Sequence, residues 1–145
     1  MDLEQFAHEL SSASAEITTG LEASFRAIVK EIEEMAKEEI GVYQPAYGPF
    51  DAWGPLAEST KADRVRQGYS EDEPLLRSGE LRDSIESEVV GLAAIVGIKS
   101  DIGLWQEVGT ERIPPRPIIG PAYVRRIGPL MEAIEQAIFK GFKAY

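Results

Sequence analysis

The chain has no cysteine and only one histidine. The first absence excludes disulfides, thiolate metal sites and cysteine nucleophiles, and it fits a reducing compartment. The second leaves His8 without the partners that a zinc site or a Ser–His pair requires. Beside Phe6 and Leu10, it reads as a structural or surface residue. No apolar run approaches the roughly 20 residues needed to span a bilayer. No basic region followed by an apolar core marks a signal peptide at the N-terminus. Bases are scarce, with 15 Lys and Arg against 25 Asp and Glu, a net charge of −10. No cluster of bases is available to displace phosphate counterions, so gripping DNA is not expected. An acidic surface can still face DNA without holding it, because like charge disfavours sticking. There is no Walker loop, no GxGxxG, no HExxH and no nucleophile elbow. Glu80 with Asp83, and Glu86 with Glu88, read as surface charge. The expectation is a non-enzymatic protein without metal or cofactor.

What is present suits one globular domain over residues 1–145, with 43% hydrophobic and 28% charged residues. It divides into an N-terminal helical region at 1–41, a connector at 42–74, and a sheet, arm and C-terminal helix at 75–145. Residues 1–72 carry 15 acids and 6 bases, whereas residues 73–145 carry 10 and 9. The acidity is therefore concentrated in the first half.

Leu3, Phe6, Ala7 and Leu10, then Ile17, Leu21, Phe25, Ile28 or Val29, Ile32, Met35 or Ala36 and Ile40, follow helical spacing. Glu22, Arg26, Lys30, Glu33, Glu34, Lys37 and Glu38 line the other face, and Gly41 is a natural stop. Ser11–Gly20 has poor helix propensity. The pattern predicts one long helix, or two with a break near Thr18–Gly20. Such a helix on a small domain leaves part of its apolar face to meet either the core or a neighbouring subunit. The connector is rich in turns and aromatics, with a short helix expected within Leu56–Arg66 and a mobile acidic stretch from Gly68 to Pro74. A thirty-residue connector of this kind is often functional.

Ser78 is placed to cap a short helical turn carrying Leu81 and Ile85. From Ile85 the period changes to that of strands, and Gly91-Leu92 predicts an antiparallel hairpin. Gly97 suggests a bulge or a close backbone approach. Asp101 is a candidate cap for a helix ending at Gly109. The last amphipathic segment, Tyr123 to about Phe142, is interrupted at Gly128-Pro129. It is either kinked there or begins at Pro129, and Lys140 and Lys143 suit its C-terminal dipole.

Between these last two helices lies Trp105–Ala122, which holds four of the nine prolines. Proline fixes φ and cannot donate a ladder bond, so the stretch reads as a stiff extended arm. Glu107 is expected to accept backbone amides around Gly109-Thr110, or to pair with Arg112 or Arg116 across the turn. The arm has no evident core role. Trp105, Glu107, Gly109, Thr110, Arg112, Arg116, Pro117 and Ile118 are thus candidate subunit or partner contacts. Arg116→Ala and Pro117→Ala are expected to disturb assembly more than folding.

Three patterns occur in order: Trp53-Gly-Pro-Leu56 with Thr60; Leu76-x-Ser78-Gly79-x-Leu81-x-x-Ser84-Ile85; and Glu107-x-Gly109-Thr110 leading to Pro115-Arg116-Pro117 and Pro121-Ala122. Together they resemble the neck and tail-completion (head–tail connector) proteins of tailed bacteriophages. These are similar to the virion morphogenesis proteins typified by the phage Mu G protein, and the likeness covers roughly residues 50–140. The chain departs from the family pattern where Arg-Pro-Phe becomes Arg116-Pro117-Ile118. The resemblance implies an α+β subunit with long helices on a small antiparallel sheet. It also implies a homo-oligomeric ring, six-fold or a multiple, at the head–tail junction or tail end of a virion assembled in the host bacterial cytoplasm. Partners would be other neck or tail proteins, with double-stranded DNA passing through unbound and no membrane involved. The alternative is a protein-binding module or assembly chaperone outside the virion.

Overall fold

The computed structural model describes residues 2–143. Helix α1 spans Leu3–Glu39, followed by α2 (Glu58–Arg66), α3 (Glu80–Asp83), strands β1 (Ile85–Val90) and β2 (Ala93–Ile98), α4 (Asp101–Val108) and α5 (Ile119–Lys143). The class is α+β, as the pattern predicts.

Asp2 starts α1, its side chain accepting from the Gln5 amide at 2.8 Å. No break occurs at Thr18–Gly20. Thr18 and Thr19 bond back to the carbonyls of Ser14 and Ala15, and the small residues here admit α5 closely. A Cβ on Gly20 would touch that of Ala137, and one on Gly141 would lie 2.1 Å from Ile17 Cγ1. Packing against α5 thus outweighs weak propensity. The two helices run antiparallel, with Glu39 beside Arg125 at one end and Ile17 against Gly141 at the other.

The C-terminal half of α1 carries the core. Ile32, Ala36 and Ile40 pack with Trp53, Leu81, Ile85, Ile118 and Ala122. The hairpin is two-stranded, pairing Ile85 with Ile98 through Val90 with Ala93. A lone hairpin is marginal in water; this one is held by packing Ile85, Val96 and Ile98 against the core. Its register is continuous through Glu86↔Gly97, and a Cβ at Gly97 would meet nothing. The expected bulge or close approach is therefore absent.

Several caps differ from expectation. Gly79, at φ 92°, starts α3 in place of Ser78, because the chain turns there through left-handed space. Ser100, not Asp101, precedes α4, and neither supplies a side-chain cap bond. Helix α5 begins at Ile119, earlier than Tyr123, with Pro121 in the first turn where its missing N–H costs nothing. It continues through Pro129. The side chains expected on its stripe at Phe142 and at its end at Lys143 lie outside the described residues.

The acidic stretch from Gly68 to Pro74, expected to be mobile, is pinned. Arg64 is buried, donating to the carbonyls of Ser70 at 2.7 Å and of Leu76. Pro74 is fully buried and its carbonyl accepts from Gly41 N at 2.8 Å. Tyr43 ties Asp72 to the same region.

Candidate interface and its buried anchor

Helix α4 and the chain that follows hold the candidate contact residues, and they fall into two environments. At the end of α4, Gly109 turns the chain with φ 76° while its amide closes the helix on Trp105 O at 2.8 Å. A side chain there would face both strain and a clash, since a Cβ would sit 2.9 Å from Pro115 N. Thr110 Oγ1 then accepts from the amides of Arg112 and Ile113, each at 3.2 Å. Up to this point the surface is open. Trp105 is 51% exposed, and Thr110 and Arg112 are exposed as well.

From Arg116 the chain dives inward. The Arg116 amide bonds to Gln106 O at 2.6 Å. Its guanidinium, 5% exposed, donates to the carbonyls of Gly54 and Pro55 at 3.0–3.3 Å. Trp53 Nε1 donates to Pro117 O at 3.2 Å. Pro117 is buried and Ile118 has no exposed surface. The expectation of an exposed arm is corrected here. Arg116, Pro117 and Ile118 are anchored in the chain's own core, so they present nothing to a partner. The physical reason is that Arg116 finds three carbonyl contacts in the connector, which compensate for burying its charge.

Glu107 serves this anchor from a distance. Its Oε2 accepts from Ile118 N at 2.7 Å and Ile119 N at 3.1 Å, and its Oε1 from Gly120 N at 2.8 Å. The amides it takes are those that open α5, not those at Gly109-Thr110, and no arginine among the described residues pairs with it. A carboxylate on a helix N-terminus satisfies orphan donors and favours the dipole. Gly120 leaves room for this arrangement, because a Cβ there would strike the Phe50 ring at 2.6 Å.

Two buried acids on α1 went unseen in the sequence. Glu39 is 3% exposed and pairs with Arg125 at 3.0 Å, and the Arg125 guanidinium lies 4.8 Å from the centre of the Tyr47 ring. Burial, with a smaller push from Glu107, holds its carboxyl at about 8, against the opposing pull of Arg125. Glu33 is almost as buried but accepts from Lys37, Lys30 and Ser87. Chiefly the Lys37 bond, then that of Ser87, pulls it down to about 2. Their positions in a charged helical stripe carry no signal separating them from their solvated neighbours, because Ser87 of β1 and Arg125 of α5, which meet Glu33 and Glu39, lie far along the chain.

The motif-bearing residues largely converge. Trp53, Leu56 and Leu81 are buried, Gly79 makes the turn into α3, and Ser84 Oγ donates to Leu81 O at 2.7 Å. Thr60 is half-buried on α2, and Ser78 is exposed, with its hydroxyl 3.4 Å from Glu80 N. Outside the core, large apolar side chains stand open on α4 (Ile102, Leu104, Trp105, Val108), on the hairpin (Val90, Leu92, Ile95) and at the start of α1 (Leu3, Phe6, Leu10). Among the described residues no group of three His, Cys, Asp or Glu gathers as metal ligands, and no helix is long and apolar enough to cross a membrane. Neither a protein-family model, a curated protein nor a solved structure matches the chain.

Proposed function

We propose that this chain is a structural subunit of a ring at the head–tail junction or tail end of a tailed bacteriophage, acting in tail completion or head–tail joining. One observation supports this reading most. The three separated stretches that carry the resemblance meet in one core, where Trp53, Leu81 and Ile85, and Ile118 and Ala122 pack together. Around that core, large apolar side chains stay uncovered on α4, on the hairpin and at the start of α1. Ring closure uses unlike surfaces on the two sides of each subunit. The net charge of −10 suits a channel wall that DNA passes without sticking.

Light scattering and negative-stain microscopy of the pure protein, together with its presence or absence in purified particles, test the reading. The expected result is a closed oligomer or incorporation at the neck or tail end. A protein that stays out of particles and yet is needed for making them would favour the assembly-chaperone reading instead. A strict monomer with no role in either would sink both.

A further inference from the structure

We infer that two copies of this chain pair antiparallel along the outer edge of β2, joining their hairpins into one four-stranded sheet about a two-fold axis. The contact goes beyond the ring reading and does not rest on it, because a two-fold contact joins like surfaces whereas a ring closes through unlike ones.

The edge is open. The hairpin is a two-stranded sheet, so β2 has a strand neighbour on one side only. Lys99 N donates to Ser84 O at 3.1 Å, which makes Ser84 and Lys99 a hydrogen-bonded pair. Such pairs alternate along an antiparallel ladder, so Glu86–Gly97, Glu88–Ile95 and Val90–Ala93 are bonded as well. Ala94, Val96 and Ile98 therefore turn their N–H and C=O groups away from β1, and no other backbone group among the described residues takes them. Charge, proline or a bulge commonly guards such an edge. From Ala93 to Ile98 the strand has no charge and no proline, and its register with β1 is continuous. The opposite edge differs, since β1 carries exposed Glu86 and Glu88 and lies against α1.

This edge is complementary to itself. All three residues with outward groups pair at one antiparallel register, with Val96 opposite Val96 and Ala94 opposite Ile98 of the other copy. Each of these pairs exchanges two backbone bonds, and any other register in phase loses at least one pair. The side chains match at the same register. On the outer face Ile95 falls opposite Gly97. Ile95 is 71% exposed, and a Cβ built on Gly97 meets nothing, so one copy supplies a bulky side chain and the other an empty place for it. On the inner face small Ala94 meets Ile98, and Val96 meets its equivalent. All three are half-buried, as core-facing side chains at an uncovered edge should be. The nearest charges do not oppose the pairing. Lys99, held by Glu86 at 2.8 Å, comes opposite Ala93, and Asp101 comes opposite Gly91. The sheet grows from a two-stranded ribbon, marginal by itself, to four strands.

Gly97→Val tests the contact without threatening the fold, because the single chain has room for the side chain and β-branched residues suit strands. Sedimentation over a range of concentrations should show a reversible two-copy unit for the unaltered chain. Gly97→Val should weaken it about tenfold through the clash with Ile95, while the urea midpoint of the dilute protein stays or rises. Exchanging the two residues, Ile95→Gly with Gly97→Ile, should restore pairing. The absence of native cysteine permits a second measurement. Ile95→Cys and Gly97→Cys, mixed under mild oxidation, should link more strongly than either alone, because opposed Cα atoms at such a pair lie about 4.5 Å apart. The double variant should stop at a linked dimer. A chain that stays monomeric at every concentration, an unchanged affinity in Gly97→Val, or no preference for linking in the mixture would each overturn the edge contact. So would a ladder of multimers from the double variant. None of these results touches the ring reading, which stands or falls on incorporation into particles.

Discussion

The two halves of the stretch from Trp105 to Ala122 share prolines and stiffness but end in opposite environments. The first half, through Arg112, closes α4 and turns in the open, with Trp105 half exposed. The second half, from Arg116, is core, with Ile118 fully covered and Arg116 held by the carbonyls of Gly54 and Pro55. The contrast shows that proline-rich rigidity does not by itself mean presentation. Here it delivers a buried anchor to the connector and, by the same geometry, leaves α4 standing outside it. Partners, not backbone stiffness, decide which half is which.

The sharpest way to break this contrast is to compare the two tryptophans. Trp53→Ala should cost about 4 kcal/mol through lost burial and a cavity, while Trp105→Ala should stay within about 0.5 kcal/mol, both read from urea unfolding midpoints. Arg116→Ala should cost about 3 kcal/mol, because it empties a buried site and leaves carbonyls unpaired. An effect near zero would return that half of the stretch to the exposed-arm description.

The buried half also carries a pH signature of similar size. Folded Glu39 keeps its proton up to about 8, whereas the unfolded side chain releases it near its ordinary 4.5. The folded state therefore binds more protons in that window, and stability should fall by about 3 kcal/mol from pH 5 to pH 8. Glu33 has the opposite sign. Its contribution is present above 4.5 and is lost as pH falls toward about 2. Denaturation scans should thus find greatest stability near pH 5, with Glu39→Gln flattening the alkaline limb. Unchanged slopes in that variant would show that another group carries the limb.

Next in size, Glu107→Gln should cost about 2 kcal/mol, since it removes the charge that favours a helix N-terminus and puts an NH2 donor where one of two carboxylate oxygens accepts an α5 amide. Because the Glu107 charge helps to raise Glu39, the same variant should also soften the alkaline limb. The smallest expected effect is that of Arg112→Ala, within about 0.5 kcal/mol on folding. A larger loss in the monomer would mean that the open half is structural after all.

Much of the fold was legible from local pattern. The stripes of α1 and α5, the hairpin about Gly91-Leu92 and the stop of α4 at Gly109 all follow from periodicity and turn chemistry. The candidate contacts were legible only in part. Trp105, Thr110 and Arg112 are open, but Arg116, Pro117 and Ile118 look identical in sequence to an exposed arm until the Gly54–Pro55 carbonyls, some sixty residues earlier, are brought against them. Likewise, nothing in the stripe Glu33, Glu34, Lys37, Glu38, Glu39 tells which acids will be buried.

The sequence by itself determined the α+β class, the order and nature of the elements, the acidity of the first half and the lack of thiol chemistry, because those depend on composition and on neighbours a few residues apart. Only the tertiary structure decided that α1 stays whole across Ser11–Gly20, that Gly68–Pro74 is pinned, that Glu107 opens α5, and that Glu33, Glu39, Arg64 and Arg116 are buried. Each of these turns on contacts made by residues distant along the chain. A helix propensity or a charge has a local cost, and whether that cost is offset depends on which partners folding brings to it.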